Sequence, residues 1–266
     1  MEAPKHWLAA SARKEGSPLT TASPLSLPKG GGAVRGIGDK FAANAVTGAG
    51  SLTVPIALSP GRAGFGPELS LSYDSSAGNG PFGLGWQLSL PCITRKTDKG
   101  LPKYDDSSEL DEFILSGVED LVPVLAPSGP GQWVPAVQPP RVVGASNYEI
   151  KAYRPRAEGL FAQIERWTNR ADRTESFWRS ISRDNRTTWY GKTPESRIAD
   201  PSEPSRIFSW LICESHDDKG NVVAYQYKAE NSDELDETQA HERNRSPADR
   251  IANKYLKYIR HLSNSS

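Results

Sequence analysis

From about residue 41 onward the chain is built of short runs in which apolar and polar residues alternate. Ser51-Leu52-Thr53-Val54-Pro55-Ile56-Ala57-Leu58 alternates and stops at Ser59-Pro60-Gly61-Arg62. Glu68 to Tyr73 sets Leu69, Leu71 and Tyr73 on one face and closes on Asp74-Ser75-Ser76-Ala77-Gly78-Asn79-Gly80. Trp86-Gln87-Leu88-Ser89-Leu90 repeats the pattern before Pro91. A period of two lines one face of a strand, and the intervening Gly, Pro and Asn residues favour turns. The pattern predicts an all-β fold of antiparallel meanders and hairpins.

Two stretches carry more specific geometry. Trp167, Trp178 and Trp189 recur every 11 residues, separated by the turn clusters Asn169-Arg170-Ala171-Asp172-Arg173 and Arg183-Asp184-Asn185-Arg186. Turns centred on Asp172/Arg173 and on Arg183/Asp184 predict a three-strand meander with the three tryptophans facing one another as a ladder; an extra bulge residue at either turn moves a ring to the other face. Downstream, Ile207-Phe208-Ser209-Trp210-Leu211-Ile212-Cys213 and Val222-Val223-Ala224-Tyr225-Gln226-Tyr227 flank Asp217-Asp218-Lys219-Gly220. This predicts a hairpin from Arg206 to Lys228, with Gly220 supplying a positive φ.

The remaining stretches set the organisation. Residues 1–29, rich in Ser, Pro, Ala and Thr without period, read as a flexible arm. Residues 30–262 read as one β-rich domain and 263–266 as a tail. The Pro-rich stretch from Val122 to Pro140 is a candidate internal boundary or long loop, whose Val124, Leu125, Trp133, Val134 and Val137 can form an extended edge. Glu230 to Asp249 is a loop by composition. Ile251 to Leu262 admits a strand or a short helix, since Tyr255, Tyr258, Ile259 and Leu262 also fit helical spacing.

Composition narrows the function more than it defines it. Lys plus Arg number 32 and Asp plus Glu 32, so no basic block marks a nucleic-acid or anionic-membrane surface. The 23 glycines and 21 prolines argue against a helical bundle. No apolar run reaches the ~18 residues of a membrane helix, and Met1 to Leu8 lacks the apolar core of a secretory signal. Cys92 and Cys213, far apart among apolar neighbours, read as two buried free thiols, with a long-range disulfide as the alternative.

Candidate chemistry fails on spacing. Gly36-Ile37-Gly38-Asp39-Lys40-Phe41 ends on Phe where a dinucleotide fingerprint needs Gly, and Gly191-Lys192-Thr193 has Arg186 where a P-loop needs Gly. Asp217-Asp218-Lys219-Gly220-Asn221 lacks the alternating Asp and distal Glu of a calcium loop, so a hairpin turn is its plain reading. His6, His216, His241 and His261 are too scattered for a local metal set. Cys213 and His216 lack a third, orienting group, and the runs Glu109 to Glu112 and Asp233 to Glu237 read as solvated turns. The chain is expected to be no enzyme and to need no cofactor or metal.

Several segments together carry a family resemblance. Leu27 to Phe41, the run GFGPELSLSYDSSAGNGPFGLGWQLSLPCITR from Gly64 to Arg95, Lys103-Tyr104-Asp105-Asp106 and Asp111 to Gly117 resemble the SpvB-type N-terminal domain. So do Phe177-Trp178, Tyr190-Gly191, Arg206-Ile207-Phe208-Ser209-Trp210, and Asp218-Lys219-Gly220-Asn221 with Tyr225-Gln226-Tyr227, the last similar to the turn and Tyr strand of RHS/YD hairpins. That domain begins the B components of insecticidal toxin complexes and the SpvB virulence proteins. The resemblance implies a curved β-sheet wall that helps enclose a cytotoxic polypeptide, with a β-propeller and RHS segments, a C-component toxin and a pore-forming A component as partners. It also implies release from the producing cell's cytoplasm without a classical signal peptide. A second reading is a binding or delivery module ahead of a separate effector such as an ADP-ribosyltransferase. The structural and interaction candidates are Trp86, Trp167, Trp178, Trp189, Trp210, Tyr225 and Tyr227. Ile251 to Leu262 is expected to be a sheet edge completed by another segment.

Overall fold

The computed structural model describes residues 40–43, 48–59, 61–106, 111–117, 119–157, 162–233, 235–240 and 242–263. The expected arm over 1–29, the Gly-rich lead-in at 30–38, His6, His241 and residues 264–266 of the expected tail lie outside them. Two compact units emerge: residues up to 55 with 71–87, and 56–70 with 88 onward.

The first unit carries most of a four-stranded sheet ordered β1 (Lys40–Ala43), β2 (Gly50–Ile56), β3 (Leu69–Asp74) and β6 (Trp86–Leu88). The small hairpin β4 (Asn79–Gly80) and β5 (Gly83–Leu84) fills the turn before β6. These strands fall on the alternating runs read from the sequence. Trp86 lies on Tyr73, ring centroids 5.2 Å apart. Gly85, at φ 79°, sits where a Cβ would come within 2.6 Å of the Tyr73 ring.

The second unit holds the remaining strands. They are β7 (Cys92–Arg95), β8 (Phe113–Leu115), β9 (Glu119–Pro123), β10 (Leu125–Gly129), β11 (Gln132–Pro135), β12 (Val137–Val143), β13 (Ser146–Pro155), β14 (Gln163–Asn169), β15 (Ser176–Ile181), β16 (Thr187–Tyr190), β17 (Arg197–Ala199), β18 (Ile207–His216), β19 (Asn221–Ala229) and β20 (Lys254–Ser263). Hydrogen bonding runs β16-β15-β14-β13-β9-β8-β7-β18, and β16 also pairs with β18. The path therefore closes on itself as an eight-stranded antiparallel barrel, which leaves no free edge around the ring. From β18 the sheet continues outward through β19 to β20, and β12 is a flap on β13. The segment that admitted strand or helix is β20, preceded by a single 3₁₀ turn at Asp249–Ile251. The Pro-rich stretch 122–140 lies inside this unit as the end of β9, the hairpin β10–β11 and the start of β12.

The meander β14–β15–β16 forms as predicted, but its register corrects the tryptophan ladder. Arg166 pairs with Trp178 and Trp167 with Phe177, while Trp178 pairs with Tyr190 and Arg179 with Trp189. Trp178 therefore faces away from Trp167 and Trp189. Each turn is centred half a residue from the assumed position: on Asp172 rather than between Asp172 and Arg173, and on Asp184 rather than between Arg183 and Asp184. Ser182 and Arg186 close a three-residue loop in which Asn185 takes a positive φ of 62°, and Asn169 N–H to Glu175 O closes a five-residue one. A one-residue change in loop length flips every side chain that follows.

Both faces of this meander are consequently used. Inside the barrel, Trp178 and Trp210 are fully buried with Ile93, Phe113, Leu121, Tyr153, Ile164, Tyr190 and Ile212. On the outer face Tyr148, Ile150, Trp167 and Phe177 form a second cluster, with Trp189 against it. Fully burying a large apolar side chain stabilises by about 1.5–3 kcal/mol, so the interior is the main source of stability.

Candidate functional site

The barrel lumen is filled rather than hollow. Phe113 lies edge-on to Trp178 at 5.0 Å and to Trp210 at 5.8 Å, and the two indoles meet at 5.9 Å. Trp210 Nε1–H donates to the Ser176 carbonyl at 2.8 Å. Gly191, at φ 67°, follows Tyr190 because a Cβ there would come within 2.3 Å of Trp210 Cδ1. The Tyr-Gly pair noted in the sequence thus marks a place where backbone runs directly against an indole.

Two arginines enter this aromatic lumen. β7 turns Arg95 inward beside Ile93, and β14 turns Arg166 inward beside Ile164. Both guanidinium groups lie over the rings of Phe113 (5.2 and 5.1 Å) and Trp210 (5.5 and 5.3 Å). One carboxylate joins them: Asp106 Oδ1 forms an ion pair with Arg95 Nη2 at 2.9 Å, and Oδ2 accepts from Arg166 Nη2 at 2.5 Å. Asp111 adds a 2.6 Å bond to Arg95, whose Nε also donates to the Ile207 carbonyl. Burial pushes the Asp106 pKa up, but the hydrogen bonds and charges of Arg166 and Arg95 outweigh it and hold the carboxyl below its usual range. This cluster clamps Asp106 and Asp111 onto the barrel.

The outer aromatic cluster is likewise covered. Glu165, fully buried, accepts from Trp167 Nε1 at 2.9 Å, Gln163 at 2.6 Å and Arg179 at 2.7 Å. Arg179 lies over Trp167 and Trp189, and Arg141 over Trp167. Trp167 and Trp178 are thus held in two separate cores rather than on one shared face.

The hairpin β18–β19 accounts for the D-x-x-G-N pattern. Asp217 Oδ1 accepts from the backbone of Lys219 and Asn221, Oδ2 accepts from Asn221 Nδ2 at 2.6 Å, and Gly220 takes a φ of 79°. Asp217 is thus spent on its own turn, as the hairpin reading expected. Burial raises the phenol of Tyr225 to about 12 and that of Tyr227 further; Tyr227 Oη donates to the Ile212 carbonyl at 2.7 Å.

Reactive groups are dispersed. Cys92 and Cys213 are free, burial raises both thiols, and Cys213 Sγ donates to the Trp189 carbonyl. His216 pairs with Glu214 rather than with Cys213. Among the described residues no group of three His, Cys, Asp or Glu could hold a metal ion. Grooves of about 430 Å³ lie between β18, β19 and β20, lined by Glu195, Tyr227 and Lys257, and beside Asp106, lined by Glu149, Lys151 and Arg173. Neither contains a nucleophile with an oriented base.

What sequence reasoning passed over is the exposed tryptophan. Trp133 on β11 is 62 % exposed, with Leu125 and Val134 beside it on the same ribbon. Its only signal was the run of apolar residues amid prolines, noted as a possible edge.

Compared with known proteins, residues 44–266 match the family described as Salmonella virulence plasmid 65kDa B protein, SpvB. The chain belongs to the SpvB family. The mono(ADP-ribosyl)transferase SpvB of Salmonella typhimurium is 34 % identical to this SpvB-family chain over 243 residues, 91 % of the chain and 38 % of the relative. The chain thus spans well under half the length of the curated relatives it matches. Among solved structures, the N-terminal domain of effector protein SpvB from Salmonella typhimurium strain LT2 superposes with a TM-score of 0.67 at 34 % identity, covering 79 % of this chain and 62 % of that one. TcdB2-TccC3 gives 0.70 at 32 % identity, covering 90 % and 11 %. The Photorhabdus luminescens Tc holotoxin pore gives 0.69 at 31 %, covering 90 % and 10 %. This SpvB-family chain shares its overall fold with these solved structures.

Proposed function

We propose that this chain is a non-catalytic structural module, spanning residues 30–262, that forms part of the hollow shell of a toxin-complex B component. The observation that carries the reading is its likeness to 11 % of a TcdB2-TccC3 chain over 90 % of its own length. The filled barrel supports it, because rigidity without an open site suits a wall segment. Remaining B-component propeller and RHS segments, a C component of the TccC3 kind and a pore-forming A component are its partners. It acts outside the producing cell, as part of a secreted toxin assembly. Trp86, Trp167, Trp178, Trp189, Trp210, Tyr225 and Tyr227 serve this role as packing residues.

A second reading is a delivery module ahead of a separate effector, supported by the 38 % coverage of a mono(ADP-ribosyl)transferase. One experiment separates the readings. The purified chain is mixed with a TccC3-type shell partner and, separately, assayed for transfer from NAD to actin. Co-elution with the shell and no transfer is the expected result. Transfer by this chain alone overturns both readings, and absence of co-elution leaves the delivery role.

A further inference from the structure

We propose that the ribbon of β10 and β11, with the outer edge of β12, is the surface through which this module docks side chains first into an uncharged apolar cleft of a TccC3-type shell partner. The inference rests on the shell reading above and adds to it a named surface and contact chemistry. β10 and β11 form a two-stranded sheet of their own, tied to the barrel at its root by Val124 N–H to Ala152 O and Ala136 N–H to Val124 O. Leu125, Pro127, Trp133 and Pro135 share one face by register, with Ala126 and Val134 on the other. Trp133, Leu125 and Val134 are exposed, and Val137, Val142 and Val143 continue the apolar surface along β12. An isolated two-stranded ribbon is marginal in water, and exposed apolar residues gathered in one place mark an interaction surface.

The residue chemistry selects the occupant. Between Leu121 and Tyr148 the only charged residue is Arg141, in a chain with 32 basic and 32 acidic residues. Arg141 lies over Trp167 and so serves the neighbouring cluster. A partner that places a charge against this surface would strand it without a counter-ion, so the cleft must be uncharged. No Lys or Arg cluster stands on the ribbon to meet anionic headgroups, which disfavours a membrane. Pro127, Pro130, Pro135, Pro139 and Pro140 lack N–H donors and blunt the free edges. The contact is therefore made by side chains, with Trp133 as the anchor, rather than by strand addition.

The test uses the full chain with p-benzoylphenylalanine in place of Trp133, and separately the double variant Trp133→Ser/Val134→Ser. Probes are a purified TccC3-type shell, neutral phosphatidylcholine vesicles and a second copy of the chain. The expected result is a cross-link from position 133 to the shell. Co-elution of the double variant should fall at least about tenfold while its melting temperature stays unchanged, and association should vary little between about 0.05 and 0.5 M salt. Co-elution without a cross-link, with the double variant binding equally, overturns the docking surface and leaves the shell reading standing. Cross-linking to vesicles or to a second copy overturns it in favour of that occupant. Failure of the unmodified chain to associate with the shell sinks the shell reading and this inference with it.

Discussion

Replacing Asp106 with Ala removes the carboxylate shared by two arginines that the barrel cannot expose. Arg95 has no solvent-accessible side-chain surface and Arg166 retains 5 %. Stripping one partner from a buried ion pair costs about 3–5 kcal/mol, because the remaining charge keeps its desolvation penalty. Two features place this site at the lower end: Arg95 retains Asp111 at 2.6 Å, and Asp106 itself is one-fifth exposed. The expected loss is about 3 kcal/mol, read in urea unfolding as a midpoint shift of about 1–2 M. Burial of Trp178 and Trp210 makes intrinsic fluorescence the natural probe. Arg166→Met offers an apolar side chain to the Phe113, Trp178 and Trp210 walls, so Asp106→Ala/Arg166→Met should be less damaging than the two singles summed, by about 2 kcal/mol. Because the folded-state pKa of Asp106 is lowered, its contribution is full above the ordinary carboxylate range and disappears as pH falls through the lowered value. Wild type and Asp106→Ala should therefore converge in acid. A single-variant loss under about 1 kcal/mol, or strictly additive singles, refutes the clamp.

Other outcomes follow from the same packing. Gly191→Ala combines a positive φ with a contact to a fully buried indole, and should cost about 3 kcal/mol in thermal melts; a neutral substitution would show that the backbone can retreat from Trp210. Trp178→Ala should cost about 3–5 kcal/mol and Trp189→Ala markedly less, since only the first fills the lumen; equal losses in chemical denaturation would restore a single-face ladder. Tyr225, raised from 10.0 to about 12, holds its proton longer when folded, so stability should decline between those two pH values; phenolate absorbance of Tyr225→Phe against wild type checks it.

Much of this protein is legible in its sequence because local rules govern it. Period-two alternation, the Gly and Pro punctuation and the Asp217–Asn221 turn each act over a few residues, and they place β2, β3, β6, β18 and β19 where the structure has them. The all-β class follows, as does the family, whose motifs are largely turn glycines and buried aromatics such as Gly191 and Trp210. What the sequence could not decide depends on one-residue differences and on long-range pairing. Loop lengths at Asn185 and around Asp172 turned Trp178 into the lumen, because side-chain facing alternates with every residue. Closure of the barrel requires β16 to meet β18 and β7 to meet β18, the latter across more than a hundred residues, which no local pattern encodes. No local pattern marks Arg95 and Arg166; barrel closure buries them beside Asp106. Trp133 looked like its fellow tryptophans in composition, and only the tertiary structure, by leaving β10 and β11 outside the ring, set it apart at the surface.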